Sequence, residues 1–262
     1  KVFRQARCMI FTTPGAANFY RARYPNCASN IHLIENGYDE EAFLTAEQQA
    51  RAVPLNPGTL TLLHSGIVYP EWRNPTALFT ALQQLLAGGM LARKDLRLRF
   101  RAPVHDAWLA KLAQSHGLED MVEILPAVSY TAALSEMLAA DALLVLQSHD
   151  CNDQIPAKVY EYLRAGKPIL GLADPQGDTA AVLRSAGMGP VCALESAPDI
   201  AKALANLTVN LTHNALPTVK TDLVHCASRA ARTASLAALL DNIVAKPSQP
   251  TSPYTLTSNS NQ

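Results

Sequence analysis

From Thr59 to Leu207 short apolar runs alternate with amphipathic stretches, and this alternation restricts the fold more than any other feature of the chain. The runs are TLTLLHSG (59–66), LRLRFRA (96–102), MVEIL (121–125), ALLVLQ (142–147), PILGLA (168–173) and GPVCAL (189–194). Each is too short for a core helix, and Gly, Pro or Asp flanks them, so each reads as a strand. Helical spacing falls between them, at 74–89, 105–117, 129–140, 157–166, 178–187 and 197–207. Asn74 and Ser129 are candidate N-caps, Pro75 sits where a first turn tolerates it, and Gly117 can close a helix. Strands joined through helices must run parallel, which predicts an α/β, Rossmann-like doubly wound sheet over about residues 56–206.

The flanks differ from this block. Residues 1–45 hold a strand in CMIFTT, a helix in AANFYRARY and, in IHLIENGYDEEAF, a strand, an Asn36-Gly37 turn and a short acidic helix. That is too little for an independent α/β domain and reads as the end of another domain, in a chain read as a piece of a longer protein. RAVPLNPG (51–58) is a linker, LTVNLTHNALPTVKT (207–221) has no clear period and reads as loop, and 223–245 reads as one long amphipathic helix. The polar, Pro/Ser-rich tail 246–262 reads as disordered. The expected division is 1–45, 46–245 and 246–262.

Twenty-two basic side chains balance twenty-two acidic ones, which argues against a nucleic-acid partner. No apolar run reaches the roughly 18 residues of a membrane span, although peripheral membrane contact stays open. The five cysteines form no CxxC pair and the seven histidines no HxxxH, so a reducing, cytoplasmic setting and no protein-bound metal are expected. Cys151 lies near His149, but no spacing supplies an oriented base, and a plain loop cysteine is the simpler reading.

A doubly wound sheet binds ligands beyond the carboxyl ends of its strands, at the point where the winding reverses. Two loops there are chemically rich. In HSGIVYPEWRNP, Gly66 lets backbone approach a ligand and Arg73 offers a fork that fits phosphate. SHDCNDQIPAK leads into the N-terminus of the helix near 157–166, which favours an anion. Neither loop is a GxxxxGK[ST] or a GxGxxG, which weakens ATP-hydrolase and NAD readings. On that helix Val159 and Leu163 make a core stripe, while Lys158, Glu161 and Ala165 can face the crevice. A carboxylate at Glu161 suits a ribose diol; the alternative is a Lys158–Glu161 surface pair, and the spacing leaves both open.

DQIPAKVYEYLRAGKPIL resembles the donor-binding domain of GT-B glycosyltransferases, especially the large retaining family 4. In that family an acidic residue is followed eight positions later by a glutamate, ahead of a helix ending in Gly-x-Pro. Asp153, Glu161 and AGKP at 165–168 have that arrangement. NGYDEEAF resembles the segment between the family's domains, SGIVYPEWRNP its diphosphate loop, and AARTASLAALLDNIV its final helix. The likeness covers nearly all of 8–245.

The resemblance implies a nucleoside diphosphate sugar as donor substrate, with no separate cofactor. Glu161 would bind the ribose, Gly66 and Arg73 the diphosphate with Lys158 as a second cation, and the backbone of Ile124, Leu125 and Pro126 the base. Asp153 would stand beside the sugar, with the N–H groups of Gln154 and Ile155 near sugar or phosphate oxygens. The chain departs from the pattern twice: Asp153 is one methylene shorter than the usual glutamate, and Ile67 follows the glycine where the family has a basic residue. The implied reaction is retaining glycosyl transfer to an acceptor hydroxyl, with Arg73, Lys158 and the helix N-terminus stabilising the departing diphosphate. The acceptor, a glycan or lipid-linked sugar, would be held by a missing N-terminal domain, so this chain alone is expected to bind donor without turning over. The other readings are a nucleotide-sugar epimerase of the same architecture, a non-catalytic nucleotide-sugar-binding or scaffold module, and a purely structural domain.

Overall fold

The computed structural model describes residues 2–49, 53–188, 191–213, 215 and 219–245. The tail read as disordered, and part of the 51–58 linker, lie outside them. The first segment is a helix α1 (Val2–Gln5), a strand β1 (Met9–Phe11), a helix α2 (Pro14–Arg23) and a strand β2 (Ile31–Leu33) parallel to β1. Thr13 caps α2 with its side chain, and Pro14 occupies the first turn. A helix α3 (Glu40–Gln49) then leads to the main sheet.

That sheet contains β3 (Leu60–Ser65), β4 (Leu96–Arg101), β5 (Val122–Leu125), β6 (Ala142–Leu146), β7 (Ile169–Leu172) and β8 (Val191–Cys192), all parallel, in the order β5-β4-β3-β6-β7-β8. The connecting helices are α4 (Thr76–Ala87), α5 (Asp106–Ser115), α6 (Tyr130–Ala139), α7 (Lys158–Ala165) and α8 (Asp178–Ser185), followed by α9 (Ala197–Thr212), α10 (Thr221–Cys226) and α11 (Arg229–Ala245). The doubly wound parallel sheet read from the alternation is thus the observed one. One face packs Leu78, Phe79, Leu82 and Ile200 against Leu62, Leu98 and Phe100. The other packs Phe43, Leu134, Val159 and Leu163 against Leu63, Leu143 and Val145. β6 and β7 are buried at every position, as central strands covered on both faces must be.

Four local expectations are corrected. The helix α4 starts one residue later than expected, at Thr76 with Pro75 in the N-cap position, yet Asn74 still accepts from the Thr76 N–H at 3.0 Å and so satisfies a first-turn donor. Leu207–Thr212, read as loop, extends α9, with Leu207 and Leu211 packed on the core. Arg97, Arg99 and Arg101 alternate in LRLRFRA, which from sequence reads as a solvated stripe, but Arg99 and Arg101 are not one. Both bind the buried Glu136 of α6, at 3.0 and 2.7 Å, and Arg99 also binds Glu123 at 2.5 Å. A charged stripe on a strand covered by a helix must find partners on that helix.

The fourth correction is the long C-terminal helix, which breaks between α10 and α11. The Tyr38 N–H donates to Ala227 O at 3.1 Å, and the Arg229 N–H donates to Tyr38 O at 2.8 Å. A donor that α-helix would direct four residues back is thus used by another strand of chain, Tyr38 bridging to Ser228. Gly37 makes this approach feasible, because a Cβ there would lie 2.4 Å from Ala227 O. Gly37→Ala is expected to destabilise the chain by about 1–3 kcal/mol, read as a lowered urea midpoint at unchanged slope.

Candidate functional site

β3 and β6 are neighbours, yet the chain leaves them toward opposite sides of the sheet, so a crevice opens beyond their carboxyl ends. The loops that follow them are tied by the Ser148 N–H donating to Trp72 O at 2.8 Å. α7 starts at the second of these loops, and no side chain caps its N-terminus. Val159, Tyr160, Tyr162 and Leu163 are buried. The Tyr162 hydroxyl accepts from the Ser65 N–H at 2.9 Å, fixing α7 directly on the end of β3.

Lys158, the first residue of α7, reaches across the crevice. Its Nζ is 3.1 Å from His64 Nε2, and a Cβ on Gly66 would lie 3.1 Å from the same Nζ. Gly66 has φ +107°, a conformation strained for any side chain. His64 is buried, and its Nδ1 lies 2.9 Å from Leu144 O. Only a protonated Nδ1 can bond a carbonyl, so Nε2 carries the lone pair and accepts from the ammonium. Burial, then the charge of Lys158, hold His64 well below the usual histidine range, and the ring is neutral. Burial, then the Arg73 guanidinium, push Lys158 down to about 7, against an upward pull from Glu161. Arg73 itself donates to Ile67 O at 2.8 Å and lies over the Tyr69 ring. Among the described residues neither Lys158 nor Arg73 has a carboxylate within ion-pair distance.

Glu161 follows on the same helix face. It is partly exposed, and its Oε1 accepts from the Tyr130 hydroxyl at 2.8 Å. The Lys158–Glu161 surface pair is therefore not formed; each has another partner. Tyr130 opens α6, just beyond the segment holding Ile124, Leu125 and Pro126. Leu125 O accepts from the Ala102 N–H at 2.8 Å and Pro126 O from Arg101 Nη1 at 2.7 Å. β5 is the sheet edge, and with Leu125 bonded inward the backbone groups of Ile124 face the open side. From the end of β3 to that of β5 is two strand spacings, about 10 Å.

Asp153, Gln154 and Ile155 lie between this crevice and α2. Asp153 O accepts from Thr13 Oγ1 at 2.6 Å, and its carboxylate is set against Gly15, where a Cβ would meet Oδ1 at 2.3 Å. Asp178 joins them, accepting from the Gly15 N–H at 2.7 Å. The Gln154 N–H, expected to face a ligand, is instead taken up within the loop, donating to Cys151 O at 2.9 Å because the backbone turns tightly there. Gln147 holds the turn through bonds from Nε2 to Cys151 O and Gln154 O. Ile155 buries its side chain. Asp150 is exposed beside His149.

The sequence reading missed His64, Tyr130 and Tyr162. His64 could have been flagged as the one ionisable group in the apolar run LTLLHS, and Tyr130 as an aromatic directly after an N-cap.

The sequence profile described as "Glycosyl transferases group 1" matches residues 47–211, more than half of the chain. The chain belongs to the group 1 glycosyltransferases. No curated protein matches it in sequence. In structure, this glycosyltransferase chain is similar to sucrose-phosphate synthase from Thermosynechococcus elongatus, with TM-score 0.67 and 17% identity over 93% of this chain and 60% of that one. It is also similar to a glycosyltransferase from Rickettsia africae, with TM-score 0.65 and 13% identity over 92% and 64%. A third similar structure is Anabaena HepE in complex with UDP-glucose, with TM-score 0.62 and 15% identity over 92% and 65%. The group 1 chain thus spans less than two thirds of the length of each of these proteins. Among its described residues no helix is long and apolar enough to cross a membrane.

Proposed function

We propose that this chain is the donor-binding part of a glycosyltransferase that moves a sugar from a nucleoside diphosphate to an acceptor hydroxyl, with retention. One observation carries the reading: Lys158 and Arg73 flank Gly66 at the switch point without a carboxylate partner, on the side of α7 that also presents Glu161. Two partly buried cations with no counter-ion among the described residues suit a diphosphate from outside. No side chain caps α7, so the positive end of its dipole lies at the loop beside the crevice, although the Val159 and Tyr160 N–H groups are taken up by Pro156 O and Ala157 O. The roughly 10 Å between the ends of β3 and β5 leaves room for a nucleoside to extend from a diphosphate at Gly66 toward the free edge beside Ile124, Leu125 and Pro126, which supports that reading.

In this reading Glu161 holds the ribose. Asp153 stands near the sugar at the boundary with residues 13–15. As the glycosidic bond breaks, the leaving diphosphate gains charge. Arg73, Lys158 and the α7 N-terminus meet that charge where it develops, which lowers the barrier by electrostatic preorganisation. A non-catalytic nucleotide-sugar-binding module is a second reading, favoured by the Asp153 carboxylate being set against Gly15.

Calorimetric titration with UDP-glucose, GDP-mannose and ADP-glucose in EDTA tests the reading. One of the three is expected to bind at least about tenfold more tightly than the others. Failure of all three to bind would overturn it.

A further inference from the structure

Tyr130 stands outside the expected set of donor-binding residues, yet it is bonded to the one that faces the ribose. Its hydroxyl donates to Glu161 Oε1 at 2.8 Å. Burial and then Glu161 itself raise the phenol pKa, so Tyr130 is a neutral and obligate donor. A carboxylate offers about four lone-pair directions. Tyr130 uses one and restrains the carboxylate plane, and among the described residues no hydrogen bond engages Oε2. The residue is the first of α6, one position after Ser129, whose side chain accepts from the Ala132 N–H and anchors the helix start. α6 is further held by Glu136 to Arg99 and Arg101, so the phenol is presented from a braced helix rather than a loose loop. The residue is 43% exposed, so the pair lies where a ligand can reach it.

We propose that Tyr130 is a positioning residue that sets the discrimination between ribose and deoxyribose nucleotides by fixing the carboxylate of Glu161. The proposal rests on the ribose-binding reading of Glu161. A free carboxylate on a helix side chain rotates among rotamers and must be ordered by each arriving diol. One already tethered by a phenol meets the diol in place, so the hydroxyl bonds are gained at smaller entropic loss.

The test titrates UDP, GDP and ADP, each with its 2′,3′-dideoxy counterpart, into wild type, Tyr130→Phe, Glu161→Ala and the double variant. Wild type is expected to prefer the ribose form of its best nucleotide. Tyr130→Phe keeps the ring and is expected to weaken that form by about tenfold while changing the dideoxy form by less than about twofold. In the Glu161→Ala background, Tyr130→Phe is expected to have no further effect. Equal weakening of both forms, or none of either, in a wild type that does prefer ribose would overturn the positioning role and leave the Glu161 reading intact. A wild type that binds nucleotide without preferring ribose overturns the ribose reading and this proposal together, and a wild type that binds none of the nucleotides overturns both as well.

Discussion

Lys158→Met should weaken binding of the preferred nucleoside diphosphate sugar by about a hundredfold at pH 6.5, and by far less at pH 9. The large effect follows from the setting. The ammonium lies over Gly66 with, among the described residues, only a neutral imidazole as its bonded partner, so a diphosphate would gain a charge-assisted contact that water does not screen well. The pH dependence follows from a pKa of about 7 in the free protein. The diphosphate binds the protonated form. Affinity is therefore full below pH 7 and falls as pH rises through that value, by up to about tenfold per unit until the pKa of the complex is reached. His64, held neutral, and Arg73, still charged, do not titrate across this range. Sugar nucleotides carry no phosphate that titrates there either, so the slope would belong to Lys158. Titrations at pH 6.5, 7.5, 8.5 and 9 check it, and a wild-type affinity that is flat over this range would rule it out.

The same desolvation acts on the unliganded fold with opposite benefit. The unfolded chain holds its lysine proton up to about pH 10.4, while the folded chain gives it up near 7. The unfolded state binds more protons between these values, so this residue's contribution to stability rises with pH across that window and is least favourable below 7. Lys158→Met is accordingly expected to melt at a higher temperature than wild type at pH 6.5 while binding donor worse.

Glu161→Ala should cost about 2–3 kcal/mol of nucleotide affinity, some 30- to 150-fold, because two hydroxyl bonds to a carboxylate are lost together. Glu161→Gln should recover part of this, since the amide oxygen still accepts one bond. Calorimetry on the preferred nucleotide measures both. The 2′,3′-dideoxy form should show almost no loss in either variant. Unchanged affinity for the ribose form in Glu161→Ala would return Glu161 to the role of a surface side chain.

The alternation of apolar runs made the parallel sheet legible because βαβ units have few alternatives. The covered strands β6 and β7 were plain from composition alone. Within the candidate site, Gly66, Arg73, Lys158 and Glu161 were found from loop position and helical spacing. The structure brings Lys158 onto Gly66 and places Arg73 and Glu161 around it. What stayed hidden depends on pairing across long separations. Tyr130 meets Glu161 across 31 residues and His64 meets Lys158 across 94, and no local pattern carries such contacts. The break before α11 was hidden for the same reason: 223–245 is periodic throughout, and only the arrival of Tyr38 makes leaving the helix favourable. Arg99 and Arg101 looked like a water-facing stripe because alternation on a strand does not reveal which face a helix will cover.

That docking of Tyr38 on residues 227–229 bears on where the chain can be cut. The stretch matched by the family profile, 47–211, omits Tyr38, Phe43, Val224 and Ala227, all of which bury themselves against the α6 and α7 side of the sheet. Trimmed to those limits, the protein would present a bare greasy flank beside the crevice at its switch point. A shortened version is therefore expected to need the Gly37 turn and the start of the last helix to keep that flank covered.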